Sequence, residues 1–412
     1  MNRRFGIFLL AQAISNFGDW LSLAGMTYLV FLRAGTTDVG IFQSIGPFVA
    51  LLAGPILGLL IDYGPAKKMM IWTNTLLAIV SCGFLYFELH WYVVLLIIKA
   101  TLGVAFGAAY GRFFPTLVDK SYLDQACGWV STTGQVATVL GLSLGTYCTA
   151  LWGKGVFLLD AATFVFAAVC FGSIPIEVAG VGRGAFSNSL NWTRLLRPLW
   201  QDLRDGARYA VQGHEFVALL TLFALAHFCW GVKDVVAFAI VTKYLHEPIN
   251  FAGLYMATAA TAEVVGGILI AQGFLKTQQS NISGISLAVA LLSGTFLVTG
   301  LTVNVPVVFG LKFCEGLMSV VIGVLCHNLL ILRTPEHLRG RLAGIVGAVT
   351  ASCLVGGKVL AGVWQDKFGV ASLCIFTGGS VLLAVGTFYF FPLLQGRTSL
   401  APDTPEQAQR IA

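Results

Sequence analysis

Twelve apolar runs of about twenty residues or more follow one another along this chain, and each is long enough to cross a bilayer as a helix. They cover residues 6–32, 40–61, 69–88, 91–112, 128–151, 156–174, 216–241, 251–274, 282–303, 305–331, 342–364 and 370–394. Charged residues make up only 11% of the 412 residues, against about 25% in a typical soluble domain. Backbone polar groups in lipid need internal partners, which helices supply. The pattern predicts an all-α membrane protein with twelve transmembrane helices.

The longest polar segment divides these runs into two sets of six. It covers residues 175–215, between residues 1–174 and residues 216–394, and a polar segment at 395–412 follows the last run. We therefore expect an N-terminal six-helix bundle, a central cytoplasmic loop, a C-terminal six-helix bundle and a cytoplasmic tail.

Lysine and arginine are unevenly distributed over the segments that join the runs. With the N-terminus inside, most lie in cytoplasmic segments, while the outer segments hold Arg33, Lys154, Lys243 and Lys367. The positive-inside rule then predicts both termini in the cytoplasm, and we expect a multi-pass protein of the bacterial inner membrane. The net charge of +6 is accounted for in this way, so we expect the lipid bilayer and no nucleic acid as a partner.

Several motifs that would indicate an enzyme or an ATP-driven pump are missing from the sequence. It contains no phosphate loop, no HExxH and no GxSxG, and its nine cysteines have no metal-ligand spacing. We therefore expect no catalytic residues, no metal site and no cofactor. We expect the protein to be a monomer.

The turn after the second run is repeated after the eighth. In residues 58–68 and again in residues 267–276, a glycine opens an aliphatic run, a second glycine ends it, and lysine closes the turn. Halves that share such a pattern are typical of transporters built from parallel repeats, in which substrate binds where the repeats meet. The sequence therefore predicts a transporter of a small molecule.

The first of these turns resembles the loop between helices two and three of the major facilitator superfamily. Gly58, Asp62, Lys67 and Lys68 match that loop, and Tyr63 stands where arginine is usual. The resemblance implies the major facilitator fold and a gating role for these residues. Asp62 would accept hydrogen bonds from a helix N-terminus, where the helix dipole is positive, and would join the bundles on the cytoplasmic side in the outward-open state.

More of the chain is similar to the efflux branch of that superfamily, which includes macrolide exporters and the enterobactin exporter. The similar segments are residues 15–19, 115–126, 160–164, 205–209 and 340–341. This resemblance implies export of a small amphipathic compound, drug-like or siderophore-like, by alternating access and in antiport with protons driven by the proton gradient.

The exporter pattern in the fifth helix is incomplete, because Gly141 and Gly145 are present but the proline is missing. A metabolite importer or facilitator, or a lysolipid transporter of the same fold, is therefore the alternative. A receptor or scaffold that transports nothing is less consistent with the sequence, because it would gain nothing from charges within its apolar runs.

Those charges mark the candidate site, since an ionised side chain in the bilayer core costs about 2.5 to 3.5 kcal/mol on insertion scales. Asp19 lies in the middle of the first run and Glu263 in the middle of the eighth. We expect Asp19 either to exchange protons during transport or to anchor the first helix by hydrogen bonds. Glu263 is expected either to bind a proton or a cationic substrate, or to pair with Lys312 or Lys358.

The remaining candidates are also charges within the runs. Lys312 and Glu315 lie three residues apart, so they share a helix face and are expected to neutralise each other. Lys99 stands about where many members of the superfamily have a functional arginine, and it could face a carboxylate such as Asp19. Lys233 and Asp234 are expected to be structural or part of an outer gate. The predicted proton-coupling or substrate-cavity residues are thus Asp19, Lys99, Glu263, Lys312, Glu315 and Lys358.

Overall fold

A computed structural model describes residues 3–62, 65–119, 122–175, 214–272, 282–333 and 339–394. Most of the expected central loop, the expected tail, and Tyr63 and Gly64 of the predicted gating turn lie outside these residues.

The first half of the described chain folds into six long helices. They are α1 (Arg3–Ala34), α2 (Thr36–Asp62), α3 (Ala66–Tyr86), α4 (Tyr92–Phe113), α5 (Leu123–Trp152) and α6 (Val156–Ser173). Short 3₁₀ turns at Leu89–Trp91, Phe114–Thr116 and Gly153–Gly155 lie between or beside them.

The second half contains six more. They are α7 (His214–Ala239), which continues into a π-helical turn at Ile240–Tyr244, α8 (Phe251–Ala271), α9 (Ile282–Leu301), α10 (Val305–Arg333), α11 (339–368) and α12 (370–394). Gly369, with φ 82° and ψ 169°, separates α11 from α12. A residue with a side chain rarely adopts this backbone conformation, whereas glycine does so readily.

Ten stretches of the described residues are long and apolar enough to cross a membrane. Two of them, 49 and 44 residues long, exceed what a core of about 30 Å requires, and the Gly153–Gly155 turn and Gly369 divide them into two helices each. The described residues therefore form twelve long helices, ten apolar stretches of which can cross a membrane, and the predicted all-α membrane fold is confirmed.

Each half packs as its own bundle, with the two bundles side by side. In the first half α1 packs on α5 and α6, and α3 packs on α4 and α6; in the second half α8 packs on α10 and α9 packs on α12. Two helix pairs, α2 with α11 and α5 with α8, join the bundles. Small residues allow helices to pack this closely within a bundle. A Cβ on Gly145 of α5, for example, would lie 2.5 Å from the carbonyl oxygen of Leu21 on α1.

The bundles meet tightly at one end of the molecule, which we call the closed end. This is the end where α1 is joined to α2 and α11 to α12. A Cβ on Gly40 of α2 would lie 2.5 Å from the carbonyl oxygen of Lys358 on α11, and one on Gly253 of α8 would lie 2.6 Å from that of Leu142 on α5. Phe31 of α1 also lies 5.7 Å from Phe238 of α7, measured between ring centroids.

Towards the opposite end, which we call the open end, the described glycines of these helices make no such contact. Positions Gly46 and Gly54 of α2, and Gly344 and Gly347 of α11, have no described atom within 4 Å of an added Cβ. The close approach found at Gly40 is therefore not repeated at these four positions.

Candidate functional site

A cavity of about 370 Å³ lies between the bundles. The first half of the chain supplies a mostly apolar wall, which includes Trp20, Leu23, Met26, Phe42, Leu96 and Leu142. The second half supplies a charged wall: Lys233, Asp234, Glu263, Lys312 and Lys358. Three of the predicted residues, Glu263, Lys312 and Lys358, thus line one cavity.

Asp19 and Lys99 belong to a separate group of charges, which we call the Asp19 cluster, inside the first bundle beside Trp20. The Nζ of Lys99 on α4 lies 3.2 Å from Oδ1 of Asp19 on α1 and 2.7 Å from Oδ2 of Asp160 on α6. The Asp19 side chain is 45% exposed, whereas that of Asp160 is 0% exposed. One ammonium group therefore links an accessible carboxylate to an inaccessible one.

Asp160 is a site residue that our sequence reasoning did not select. Its Oδ2 also accepts a hydrogen bond of 2.8 Å from the hydroxyl of Ser81, while its Oδ1 has no hydrogen-bond partner among the described residues. The signal was present in the sequence, because Asp160 is an ionisable residue within an apolar run and carries the insertion cost that singled out Asp19.

Four charged groups form a network within the second bundle. The Nζ of Lys312 lies 3.2 Å from Oε1 of Glu315, the pairing that their spacing predicts, and both side chains are buried. The same Oε1 lies 3.4 Å from Nζ of Lys233, which is also 3.9 Å from Oε1 of Glu263. Glu263 is the most accessible of the four, with 27% of its side chain exposed.

The partner that the sequence suggests for Glu263 is wrong. The ion-pair partner of Glu263 is Lys233 of α7, and neither Lys312 nor Lys358 occupies that place. Lys233 and Asp234 form ion pairs with Glu315 and Lys358, as the structural alternative predicts, and both also line the cavity.

Lys358 instead pairs with Asp234, and it also reaches the other bundle. Its Nζ lies 3.3 Å from Oδ2 of Asp234 on α7 and 3.5 Å from Oε1 of Gln43 on α2. The Nε2 of Gln43 in turn donates a hydrogen bond of 3.2 Å to Oγ1 of Thr27 on α1.

Asp366 joins the bundles at the closed end. Its Oδ2 accepts hydrogen bonds from the backbone N–H and the hydroxyl of Thr37, at 2.9 and 2.7 Å, and its Oδ1 lies 3.5 Å from Nζ of Lys243. Asp366 lies in the last turn of α11. Burial favours the neutral carboxyl, but the Thr37 hydrogen bonds and the Lys243 charge outweigh it and lower the pKa of Asp366.

The predicted gating residues are described only in part. Gly58 and Asp62 lie in the last two turns of α2, and their surroundings are outside the described side chains. Lys67, at the start of α3, donates a hydrogen bond of 2.6 Å to the carbonyl of Ile174 after α6, a contact within the first bundle. Lys68 is exposed. The gating role of these four residues stays a prediction.

The described residues contain no group of three or more His, Cys, Asp or Glu side chains that could hold a metal ion. The charged groups of the site are arranged as ion pairs, which can bind protons and charged ligands.

Comparison with known proteins supplies the family. The sequence matches the Major Facilitator Superfamily over residues 8–357. It is 23% identical to the MFS-type transporter YfiS of Bacillus subtilis (strain 168) over 389 residues, which cover 92% of this chain and 90% of YfiS. It is 20% identical to Macrolide efflux protein A of Streptococcus pyogenes, with 88% and 89% covered, and 22% identical to the multidrug efflux pump Tap of Mycolicibacterium fortuitum, with 94% and 96% covered.

Solved structures share the fold at lower sequence identity. The nucleoside transporter NupG matches with a TM-score of 0.71 at 14% identity, covering 94% of this chain and 98% of NupG. A bacterial homolog of the human lysosomal transporter Spinster, in an inward-facing and occupied conformation, matches with a TM-score of 0.71 at 13% identity, covering 98% and 100%. Together with the family match over most of the chain, these similarities show that the protein is a membrane transporter, and not an enzyme, that belongs to the Major Facilitator Superfamily.

Proposed function

We propose that this transporter exports a small amphipathic compound, drug-like or siderophore-like, from the bacterial cytoplasm in exchange for protons. The exchange uses alternating access of the cavity between the two bundles. The observation that carries the proposal is the cluster of Asp19, Lys99 and Asp160, in which two carboxylates share one ammonium group.

The composition of that cluster favours proton binding. When both carboxylates are ionised it carries one negative charge more than Lys99 can compensate. The paired charges of the second bundle balance, because its three lysines equal its three carboxylates in number: Lys233, Lys312 and Lys358 against Asp234, Glu263 and Glu315. Two like charges held close together disfavour joint ionisation, so the Asp19 cluster can bind one proton. Asp19 is the accessible carboxylate and therefore the group that exchanges it with water.

The walls of the cavity favour an amphipathic substrate. Apolar side chains of the first bundle, including Trp20 and Leu142, face charged side chains of the second, including Asp234 and Glu263. Ligand sites of this kind bind the apolar part of a ligand by burial and orient it by a few polar groups. Asp234 and Glu263, which are 36% and 27% exposed, are more accessible than their lysine partners.

The difference between the two ends of α2 supports alternating access, because Gly40 touches α11 while Gly46 and Gly54 have open space around them. The positive-inside rule assigns the open end to the cytoplasm, so this conformation is the one that loads substrate from the inside. The next conformation separates Gly40 from Lys358 at the closed end and brings the open ends together. Efflux relatives such as Macrolide efflux protein A and Tap support the outward direction.

The test uses everted membrane vesicles from cells that produce the protein, energised so that their interior is acidic. Uptake is measured for a macrolide, a catechol siderophore, a lysolipid and a nucleoside. We expect one of the amphipathic compounds to accumulate, and accumulation to stop when nigericin removes the pH gradient. Vesicles without the protein are the control.

Two outcomes contradict the proposal. Accumulation that persists after the pH gradient is removed would contradict proton coupling. Uptake of the nucleoside alone, and only in right-side-out vesicles, would identify a metabolite importer or facilitator instead.

A further inference from the structure

A series of polar contacts crosses from the charged wall of the cavity to the other bundle. It runs from Asp234 on α7 to Lys358 on α11, then to Gln43 on α2 and Thr27 on α1, with successive distances of 3.3, 3.5 and 3.2 Å. The contact between Lys358 and Gln43 is the step of this series that crosses from one bundle to the other.

The backbone at Lys358 is confined on two sides. A Cβ on Gly231 of α7 would lie 3.0 Å from the backbone nitrogen of Lys358, and one on Gly40 of α2 would lie 2.5 Å from its carbonyl oxygen. The residue whose ammonium group pairs with Asp234 therefore also forms the α2–α11 contact that must separate when the closed end opens.

The two partners of the ion pair differ in access to the cavity. The Asp234 side chain is 36% exposed and Lys358 only 10%. A positive charge that enters the cavity can reach Asp234 directly. Once Asp234 is neutralised, the amide oxygen of Gln43 is the one polar partner left to the Lys358 ammonium group among the contacts of the described residues, and an uncharged partner compensates a buried charge poorly.

We propose that Lys358 transmits the charge state of Asp234 to the closed end. Neutralising Asp234, by a proton or by a cationic group of the substrate, leaves the ammonium of Lys358 without an anionic partner and so favours the conformation in which α2 and α11 separate. This inference rests on the proposed alternating access, and it makes Lys358 a positioning residue rather than a direct substrate contact.

Other charged groups act on Asp234 besides Lys358. Lys233 is its neighbour on α7, Glu263 faces it from α8 and Lys312 from α10, and all three interact with it electrostatically. Lys358 differs from them because it alone in this set contacts α2. A conformational response that passes through Lys358 can therefore be separated from a general electrostatic effect by replacing Lys358.

The test measures distances across the closed end by double electron–electron resonance in lipid nanodiscs. Spin labels replace Arg33, at the end of α1, and Lys367, at the end of α11, both of which are exposed. The nine native cysteines are replaced by serine or alanine, in a background that still folds. An outward-open conformation lengthens the distance between the labels.

We expect Asp234→Asn to raise the ratio of long to short distances about tenfold, which corresponds to about 1.4 kcal/mol. Lys358→Met is expected not to raise it, because it leaves a carboxylate that cavity water can solvate. The double variant Asp234→Asn/Lys358→Met should show the wild-type ratio of long to short distances. Lys358→Arg, which keeps the positive charge, should also show the wild-type ratio. Glu88→Gln, at a side chain that is 84% exposed, is the control.

An ion pair with a merely structural role would give equal effects for the two single neutral variants, and that result would overturn the inference. Lowering the pH, and separately adding tetraphenylphosphonium at constant pH, then identify the source of the positive charge. We expect at least one to lengthen the wild-type distance more than it lengthens that of Asp234→Asn; equal responses of the two proteins, or no response of the wild type to either, would also overturn it. If the distances respond as expected but the vesicle assay shows no proton coupling, the proposed function fails while this inference stands.

Discussion

Asp366 binds the N-terminal turn of a helix in the opposite bundle, because its carboxylate accepts hydrogen bonds from both the backbone N–H and the hydroxyl of Thr37. The N-terminus of a helix carries partial positive charge and unpaired N–H groups, so a carboxylate is favourable there. Asp62, the last residue of α2, lies at the other end of the same helix pair. The α2–α11 pair thus has Asp366 at its closed end and Asp62 at its open end. The contact of Asp366 is formed in this conformation.

Replacing Asp366 should weaken the closed end. Loss of a side-chain cap on a helix N-terminus costs about 1 kcal/mol, which corresponds to about a fivefold change in a conformational ratio. We expect Asp366→Ala to increase the outward-open population by about that factor, measured with the spin labels described above. Lys154→Ala, also in an expected outer segment but in the first bundle, is the control, and an unchanged distance distribution would contradict the role of Asp366.

The Asp366 contact should be insensitive to pH near neutrality. Its hydrogen bonds from Thr37 lower its pKa below the ordinary value of 3.8. A group whose pKa is lowered by folding contributes stability above its unfolded pKa and loses that contribution only as the pH falls through the folded pKa. The difference in conformational ratio between the wild type and Asp366→Asn should therefore be constant from pH 5 to pH 8. A difference that disappears within this range would show that Asp366 is protonated there.

A methyl group on Gly40 should force α2 and α11 apart. The added Cβ would lie 2.5 Å from a backbone oxygen of α11, and overpacking of this kind costs about 1 to 3 kcal/mol. We expect Gly40→Ala to raise the outward-open population and lower the thermal stability of the protein in detergent. Gly46→Ala, six residues further along α2 with open space around it, is the matched control. Equal behaviour of the two variants would contradict the tight α2–α11 contact.

The Lys99 cluster should be structural as well as functional. Lys99→Met leaves the buried Asp160 with only the Ser81 hydroxyl among its described partners, and an uncompensated buried charge costs about 3 to 5 kcal/mol. We expect a clear fall in the unfolding temperature, and recovery of much of it in Lys99→Met/Asp160→Asn. Failure of the second substitution to restore stability would mean that Lys99 acts through other contacts.

The fold could be predicted from the sequence because each crossing requires its own apolar run, and the twelve helices confirm those runs. The charged residues could be found for the same reason, since Asp19 and Glu263 interrupt such runs. Their partners could not be found. A helix that is apolar on all sides does not reveal which face packs inward, so nothing in the eighth run indicates that Glu263 faces Lys233. The Asp366–Thr37 contact joins residues 329 positions apart, and neither residue interrupts an apolar run.

The central claim is that Asp19 carries the proton that substrate movement exchanges. It is tested by reconstituting the purified protein in liposomes that contain a pH-sensitive dye, imposing a gradient of the transported compound, and recording proton flux and substrate flux together. We predict opposite and proportional fluxes for the wild type and for Asp19→Glu, and substrate exchange without proton flux for Asp19→Asn. Proton flux in Asp19→Asn equal to that of the wild type would contradict the claim.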